Sequence, residues 1–369
     1  MKKVLAILMA ACLILLVFAG CVTDDANTDP SNDTGASGDP VKIVLLINGT
    51  LGDKSFFDSA KNGMDLIKEK YGDRVETQTV EMTYDATKWT PALIEFSEDA
   101  DTDIIISGTW QMVDRVIEVA PDYPDKKYIV YDAEVDYSSG DYSNVYSITY
   151  KQNEASFLAG AASALVSRTN VFGFVGGMDN VTINDFLVGL IAGAQYVKPE
   201  MRFATAYIGN FDDAVKAKEI TLSQINNQNA DVVYGCAGQA GLGSIEAAAE
   251  QGVYALGGDS DQAMSFKGVD DAKAECIITS ILKRVDQSLL RAVTASMEGT
   301  LQWGTTGSFG LADESVGLAE NEYYEAILTE EQRAQIDEIE QKIISGEIEV
   351  PTALGRDTQE VKDYIDAAS

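Results

Sequence analysis

The feature that most constrains this chain is a regular alternation of short apolar runs with longer amphipathic ones. The first, VKIVLLING (41–49), is continuously apolar and ends in glycine. The next stretch, TLGDKSFFDSAKNGMDLIKEKYG (50–72), carries Phe57, Ala60, Met64 and Ile67 at helical spacing and stops at Gly72. Strands are expected at RVETQTVEM (74–82), TDIIISG (102–108) and KKYIVYD (126–132), with helices at 89–100 and 111–120 between them. Strands that are apolar throughout are buried on both faces. Their alternation with helices implies a parallel sheet covered on each side.

Near residue 150 the pattern restarts. KQNEASFLAGAASALVSR (151–168) reads as an Ala-rich helix and NVFGFVGGM (170–178) as a strand ending in a glycine pair. NDFLVGLIAGAQYV (184–197) is a helix with Asn184 or Asp185 near its cap. FATAYIG (203–209), ADVVYGCAG (230–238) and VYALGGD (253–259) are strands, separated by helices at 212–228 and 241–252. AECIITSIL (274–282) is a strand or a strand-to-helix junction. The body of about 330 residues exceeds one hydrophobic core, and the two series imply two doubly wound lobes. The apolar helix from about 280 to 299 follows a complete second lobe, so it is expected to return to the first. The tail EEQRAQIDEIEQKIISGEIEVP (330–351) reads as a charged helix followed by an exposed strand. The first lobe is thus expected to hold 41–149 and about 280–304, the second 150–279 and about 305–369. Several crossings between them make a hinge, and two such lobes form a cleft between their strand carboxyl ends.

The N-terminal segment has the layout of a secretory signal. Lys2 and Lys3 precede an uncharged apolar run from Val4 to Ala19, and Ala19-Gly20 stands directly before Cys21. The run is shorter than the ~20 apolar residues a membrane-spanning helix needs. The segment resembles a bacterial lipobox, with Phe18 where Leu is commoner. That resemblance implies that Cys21 is diacylated and becomes the first mature residue. VTDDANTDPSNDTGASGDP (22–40) is small, polar and acidic, the composition of a flexible tether.

Composition narrows the chemistry. The net charge is −32, and losing Lys2 and Lys3 would make it −34, which disfavours nucleic acid and anionic lipid as partners. There is no histidine, which removes the commonest general base, the Ser-His-Asp triad and most catalytic zinc sites. Cys12 falls in the signal and Cys21 takes lipid, leaving Cys236 and Cys276 in apolar runs, expected as buried free thiols. No paired-acid motif, metal site or cofactor motif stands out, and no enzyme is expected.

The candidate ligand residues sit just past strands. GDKSFF (52–57), with Asp53 and Phe56, opens a helix whose N–H groups can receive a polar group. Trp110 is either core or cleft wall. Gly177, in GGM, allows close backbone approach. Phe186 is placed to face Phe56 across the cleft, and two such rings would sandwich a flat ligand. AGQAGLG (237–243), containing Gly238, lacks the Lys-Ser/Thr of a P-loop, so it is not expected to hold a nucleoside triphosphate. Asp259, in GGDSDQ, can accept two hydroxyls of a vicinal diol; with Asp261, it is otherwise a solvated turn. Lys283 would pair with Asp259 or meet a ligand oxygen; otherwise it is a surface lysine.

These segments, GDKSFFDSA, SGTWQM, FVGGMDNVTINDFLVGLIAGAQYVKP, AGQAGLGSIEAA, VYALGGDSDQ and ITSILKRVD, resemble the BMP family of bacterial lipoproteins. These are the PnrA-like (purine nucleoside receptor) substrate-binding proteins of ABC transporters. The resemblance covers about 41–300 in order. It implies a type I periplasmic-binding fold and capture of a nucleoside for an ABC permease and its ATPase. It also implies that Phe56 and Phe186 stack on the base, that Asp259 holds ribose and that Lys283 contacts the ribose side. Purine-binding members commonly carry Asp before the GDKSF turn, where it reads the base edge; this chain has Asn48. Members often have Asn where Phe57 stands.

The function expected is therefore an exported, lipid-anchored solute-binding protein that delivers a small polar ligand, a nucleoside foremost, to an ABC importer. A sensor presenting a sugar or signal molecule to a membrane receptor is the alternative. A nucleoside hydrolase would need an activated water that this composition does not supply, and a DNA-binding regulator would need an added basic domain.

Overall fold

The structure is a computed structural model that describes residues 39–369. Cys21, the expected signal and all but the last two residues of the expected tether lie outside the described residues.

The first series gives β1 (Val41–Ile47), α1 (Phe56–Tyr71), β2 (Val75–Glu81), α2 (Trp89–Glu98), β3 (Thr102–Gly108), α3 (Trp110–Val119), β4 (Lys127–Tyr131) and β5 (Val145–Tyr150). The second gives α4 (Gln152–Val166), β6 (Val171–Gly176), α5 (Val181–Val197), β7 (Arg202–Tyr207), α6 (Ala214–Gln228), β8 (Val232–Cys236), α7 (Leu242–Gln251), β9 (Tyr254–Asp259), α8 (Gln262–Phe266), α9 (Asp271–Cys276) and β10 (Ile277–Lys283). The remainder forms α10 (Val285–Met297), β11 (Thr305–Phe309), β12 (Val316–Leu318), α11 (Glu322–Ile327), α12 (Glu330–Ile344) and α13 (Thr358–Ala367).

Two six-stranded sheets result, ordered β11-β5-β4-β3-β1-β2 and β12-β10-β9-β8-β6-β7. All pairings are parallel except β10 with β12. Each lobe repeats one strand order about a first strand, β1 or β6. The crevice where the order reverses opens at the carboxyl ends, which is where open α/β sheets bind ligands. The central strands are buried because helices cover both faces; Ile43 to Ile47 in β1 are fully inaccessible. α4 and α5 cross closely because a Cβ at Gly193 would overlap the Phe157 carbonyl oxygen, and one at Gly160 the Leu190 oxygen. Glycine at those points lets two Ala-rich backbones meet.

The chain passes between lobes after β5, after β10 and after β11. The passages are cross-linked, since Lys151 N–H donates to the Phe309 carbonyl (2.8 Å) and Arg284 N–H to the Ser315 carbonyl (2.9 Å). α10 packs on α1, which returns the chain to the first lobe.

Several expectations are corrected. β10 runs to Lys283, so 280–283 remain in the second sheet and the returning helix starts at Val285. β11 pairs with β5, so the final passage falls after residue 309 rather than at 304. Its sequence TTGSF is mostly small and polar, and its edge position beside β5 gives its backbone a partner. β12 is only three residues long, and β5, VYSITY, was not singled out although it is mostly apolar. The expected strand after α12 does not form; the carbonyls of Val350 and Pro351 instead accept from Asn153 Nδ2 at 3.3 and 3.1 Å. The α5 cap is Asn180, whose Oδ1 accepts from Ile183 N–H at 3.1 Å, not Asn184 or Asp185.

Candidate functional site

Between the lobes lies a cavity of about 830 Å³ of atom-free space, mouth included. Of the candidate ligand residues singled out from the sequence, all but Gly177 and Asp261 line it.

The first-lobe wall is set by the turn after β1. Asp53 is fully buried there, and its carboxylate accepts from the N–H groups of Ser55 (3.0 Å), Phe57 (2.8 Å) and Asp58 (3.1 Å). Burial pushes its carboxyl up to about 6, against the pull of those three donors. Its oxygens are thus committed to its own loop, and the residue fastens the turn that launches α1. That turn presents Phe56, whose ring centroid lies 5.4 Å from that of Tyr131. Phe57 turns under the helix toward Tyr84, at 6.4 Å. Trp110, first residue of α3, is 43% exposed and stands at the rim rather than in the core. Asn48 is 2% exposed; its Nδ2 donates to Thr109 Oγ1 (2.9 Å) and Gln111 Oε1 (3.3 Å), and its Oδ1 has no partner.

On the second lobe, Phe186 projects from α5, 6.4 Å from the Tyr234 ring. Gly177 does not reach the cavity because the Phe211 ring occupies the space its Cβ would take. Phe211 lines the wall in its place. Gly238, at φ +53, lets the loop after β8 turn in toward the ligand space. Asp261 accepts from Met264 N–H and from Asn321 Nδ2, so it caps α8 and does not line the cavity.

The charged groups converge on Lys283. Its Nζ lies 2.9 Å from Asp132 Oδ1 of the first lobe and 3.8 Å from Asp259 Oδ1 of the second. The same Nζ is 4.9 Å from the Phe56 ring centroid and 5.0 Å from that of Phe186. The two rings can therefore be no farther apart than the sum of those distances. A flat ring between them needs about 7–8 Å, twice a carbon contact. Burial works against the ammonium, but Asp132 and Asp259 outweigh it and hold its pKa above the ordinary lysine value. Asp132 is raised by burial, with Lys283 pulling it back. Both carboxylates sit on residues with positive φ, +61 at Asp132 and +59 at Asp259, a strained backbone of the kind found at functional sites.

The lobes also touch directly. Ser55 Oγ donates to Asp259 Oδ2 (2.7 Å) and lies 3.0 Å from the Gly258 carbonyl, while Ser260 Oγ donates to the Ser55 carbonyl (3.1 Å). Thr50 Oγ1 donates to Gln239 Oε1 (3.1 Å). One Asp259 oxygen is therefore partly engaged, leaving Oδ1 beside Lys283 as the freer acceptor.

Asp132, Thr109 and Gln111 were missed from the sequence, although Asp132 and Thr109 also lie just past strands. Tyr234, inside β8, carried no signal distinguishing it from core. Cys236 lines the cavity and Cys276 does not; both are buried free thiols. Burial raises both thiols, that of Cys276 to about 12, so neither is a ready nucleophile. Among the described residues no cluster suits a metal ion, and no helix is long and apolar enough to cross a membrane.

Residues 40–353 match the family described as ABC transporter substrate-binding protein PnrA-like. Basic membrane protein A of Borreliella burgdorferi is 28% identical over 99% of this chain and all of its own length. The ABC transporter nucleoside-binding protein BmpA of Lactococcus lactis is 27% identical over 95% of this chain and 99% of its own length. A solved solute-binding protein of an Aeropyrum pernix ABC transporter system superposes with a TM-score of 0.75 at 27% identity, covering 89% of this chain and all of that one. The lobes, hinge and cleft are of the type I periplasmic-binding kind. The chain belongs to the PnrA-like family of ABC transporter substrate-binding proteins, which hold a solute outside the cytoplasm for an importer and are not enzymes.

Proposed function

We propose that the protein captures a nucleoside between its lobes and presents it to an ABC permease and ATPase while tethered through a lipid on Cys21. The observation that carries the reading is the pair of rings from opposite lobes, Phe56 and Phe186, both about 5 Å from one ammonium that itself lies between two carboxylates. Such a slot suits a flat base, worth about 0.5–1.5 kcal/mol per stacking contact beyond area burial. Asp259 and the remaining N–H groups of Lys283 suit the hydroxyls of a sugar joined to it. Lys283 is already faced by two carboxylates, so the site favours a neutral ligand. The name of the Lactococcus relative points the same way. The lipid anchor rests on the Ala19-Gly20-Cys21 sequence.

A thermal-shift screen of nucleosides, bases and sugars tests the ligand class. A saturating nucleoside at 100 times its Kd should add about 2.7 kcal/mol of stability. A shift with sugars and none with nucleosides would overturn it. Cys21→Ser should move the protein from the membrane fraction to the soluble one without loss of ligand binding; a wild type that is already soluble in its host would refute the anchor.

A further inference from the structure

Ser55 stands at the N-cap of α1, where a serine hydroxyl ordinarily accepts from the second or third N–H of its own helix. Here it makes no such bond. Asp53 takes both donors, the N–H groups of Phe57 at 2.8 Å and Asp58 at 3.1 Å, and the Ser55 N–H as well at 3.0 Å. Asp58 completes the loop by accepting from Gly52 N–H at 2.8 Å and Lys54 N–H at 2.9 Å, which holds Lys54 at φ +52. Two carboxylates of the loop thus satisfy five of its own N–H groups and fix its shape.

The hydroxyl released from capping is spent on the other lobe. Ser55 Oγ lies 2.7 Å from Asp259 Oδ2 and 3.0 Å from the Gly258 carbonyl oxygen, and the Ser55 carbonyl accepts from Ser260 Oγ at 3.1 Å. The same loop sends Thr50 Oγ1 to Gln239 Oε1 (3.1 Å) and the Lys54 ammonium to the Ser265 carbonyl (3.5 Å) and over the Phe266 ring, 5.5 Å from its centroid. Ser55 lines the ligand cavity, whereas Thr50, Lys54 and Gln239 do not. All of these bonds join protein groups to protein groups, so they favour closure whichever solute is held.

We infer that residues 50–58 form a preshaped clasp in which Asp53 caps α1 in place of Ser55, Ser55 fastens the second lobe, and the clasp sets how much of the protein is closed but not which solute is chosen. The inference needs only that a solute is held between the lobes, not that it is a nucleoside. A group that acts on the open–closed equilibrium alone scales every affinity by one factor, because the apparent Kd is the intrinsic value divided by the closed fraction. A group that touches the solute changes affinities unequally.

The test joins a measurement without solute to one with it. In the Cys21→Ser protein with no solute added, Thr50→Val combined with Ser55→Ala should raise the radius of gyration read by small-angle X-ray scattering. In calorimetric titration with adenosine and guanosine, Ser55→Ala should weaken both by the same factor, at least about fivefold. Thr50→Val, outside the cavity, should weaken both by a smaller common factor. Asp53→Ala should act like Ser55→Ala, since its loss returns the hydroxyl to the helix N–H groups, and the double variant should add little to either. Full additivity of those two would overturn the exchange of caps. A changed adenosine-to-guanosine ratio in Ser55→Ala would make Ser55 a ligand contact and overturn the unselective clasp. An unchanged radius of gyration would overturn the clasp outright. Absence of nucleoside binding beside the expected rise in radius would overturn the nucleoside reading and leave the clasp standing.

Discussion

The cavity has a charged side and a neutral side, and they are built on opposite principles. On the charged side, Asp132, Lys283 and Asp259 come from the ends of β4, β10 and β9, so the cluster joins the two lobes. On the neutral side, Asn48, Thr109 and Gln111 all follow β1 and β3 of the first lobe. In the first sheet β4 and β1 lie two strands apart, about 9–10 Å, a span comparable to that of a base and its sugar. The charged groups depend on one another and on closure, because any one of them alone would be a buried unpaired charge. The neutral groups are satisfied within one lobe, apart from Asn48 Oδ1, which is buried without a partner. Under the proposed function, closure and sugar binding fall to the charged side.

The largest effect expected is at Lys283. Lys283→Met leaves two carboxylates facing each other without a cation, and removing one partner of a buried ion pair costs about 3–5 kcal/mol. Denaturant unfolding should show a loss of that order together with lost ligand binding. Asn48→Leu, on the neutral side, should change stability by less than about 2 kcal/mol. Similar losses for the two variants would break the contrast between the sides.

The aromatic slot comes next. Phe56 and Phe186 are 8% and 2% exposed and belong to the same buried cluster, so they are core residues as well as cavity walls. Phe186→Ala should weaken ligand binding by about 1–3 kcal/mol and lower the unfolding free energy by about 3–5 kcal/mol. Phe186→Leu separates the two, keeping most of the burial while losing the stacking face. Ligand affinity unaltered in Phe186→Leu would remove the ring from the account.

A smaller effect sharpens the comparison by isolating carboxylates buried without a cation. Asp53 and Asp185 are held by neutral donors, in the latter case Gln152 Nε2 at 2.7 Å and Ala353 N–H at 2.8 Å with the Thr352 hydroxyl. Burial pushes each up to about 6 from 3.8. The folded state therefore favours their protonated forms. The stability they contribute is full below the ordinary carboxylate range and is lost as pH rises toward and through about 6. The thermal midpoint should fall between pH 5 and pH 7, and relief of the −32 net charge at lower pH acts in the same direction. Asp185→Asn should flatten the slope; a midpoint that rises over that interval would contradict the assignment.

The fold was legible because its informative strands are buried on both faces and so read as apolar runs. β11 and β12 were not, because sheet-edge strands owe their existence to a partner far along the chain: Thr305 pairs with Tyr146, and Val316 with Lys283. The site was legible where a residue's position after a strand suffices, as for Phe56, Phe186, Asp259 and Lys283. It was not where a distant side chain decides the outcome. Phe211 covers Gly177, and Asp53 spends its oxygens on its own turn. Asp132 becomes a cavity residue through an ammonium 151 positions later.

The central claim, a base slot joined to a sugar-binding charged cluster, is tested most directly by calorimetric titration of a ribonucleoside, its 2′-deoxy form, the free base and free ribose against the wild-type protein and Asp259→Ala. The account predicts tightest binding of the ribonucleoside, at least several-fold weaker binding of the deoxynucleoside, and weaker binding still of base and sugar alone. Asp259→Ala should lose most of the affinity and flatten the ribose-to-deoxyribose preference. Equal affinity for ribo and deoxy forms would contradict the role of Asp259, and binding of ribose or another sugar with none of the nucleoside would contradict the slot itself.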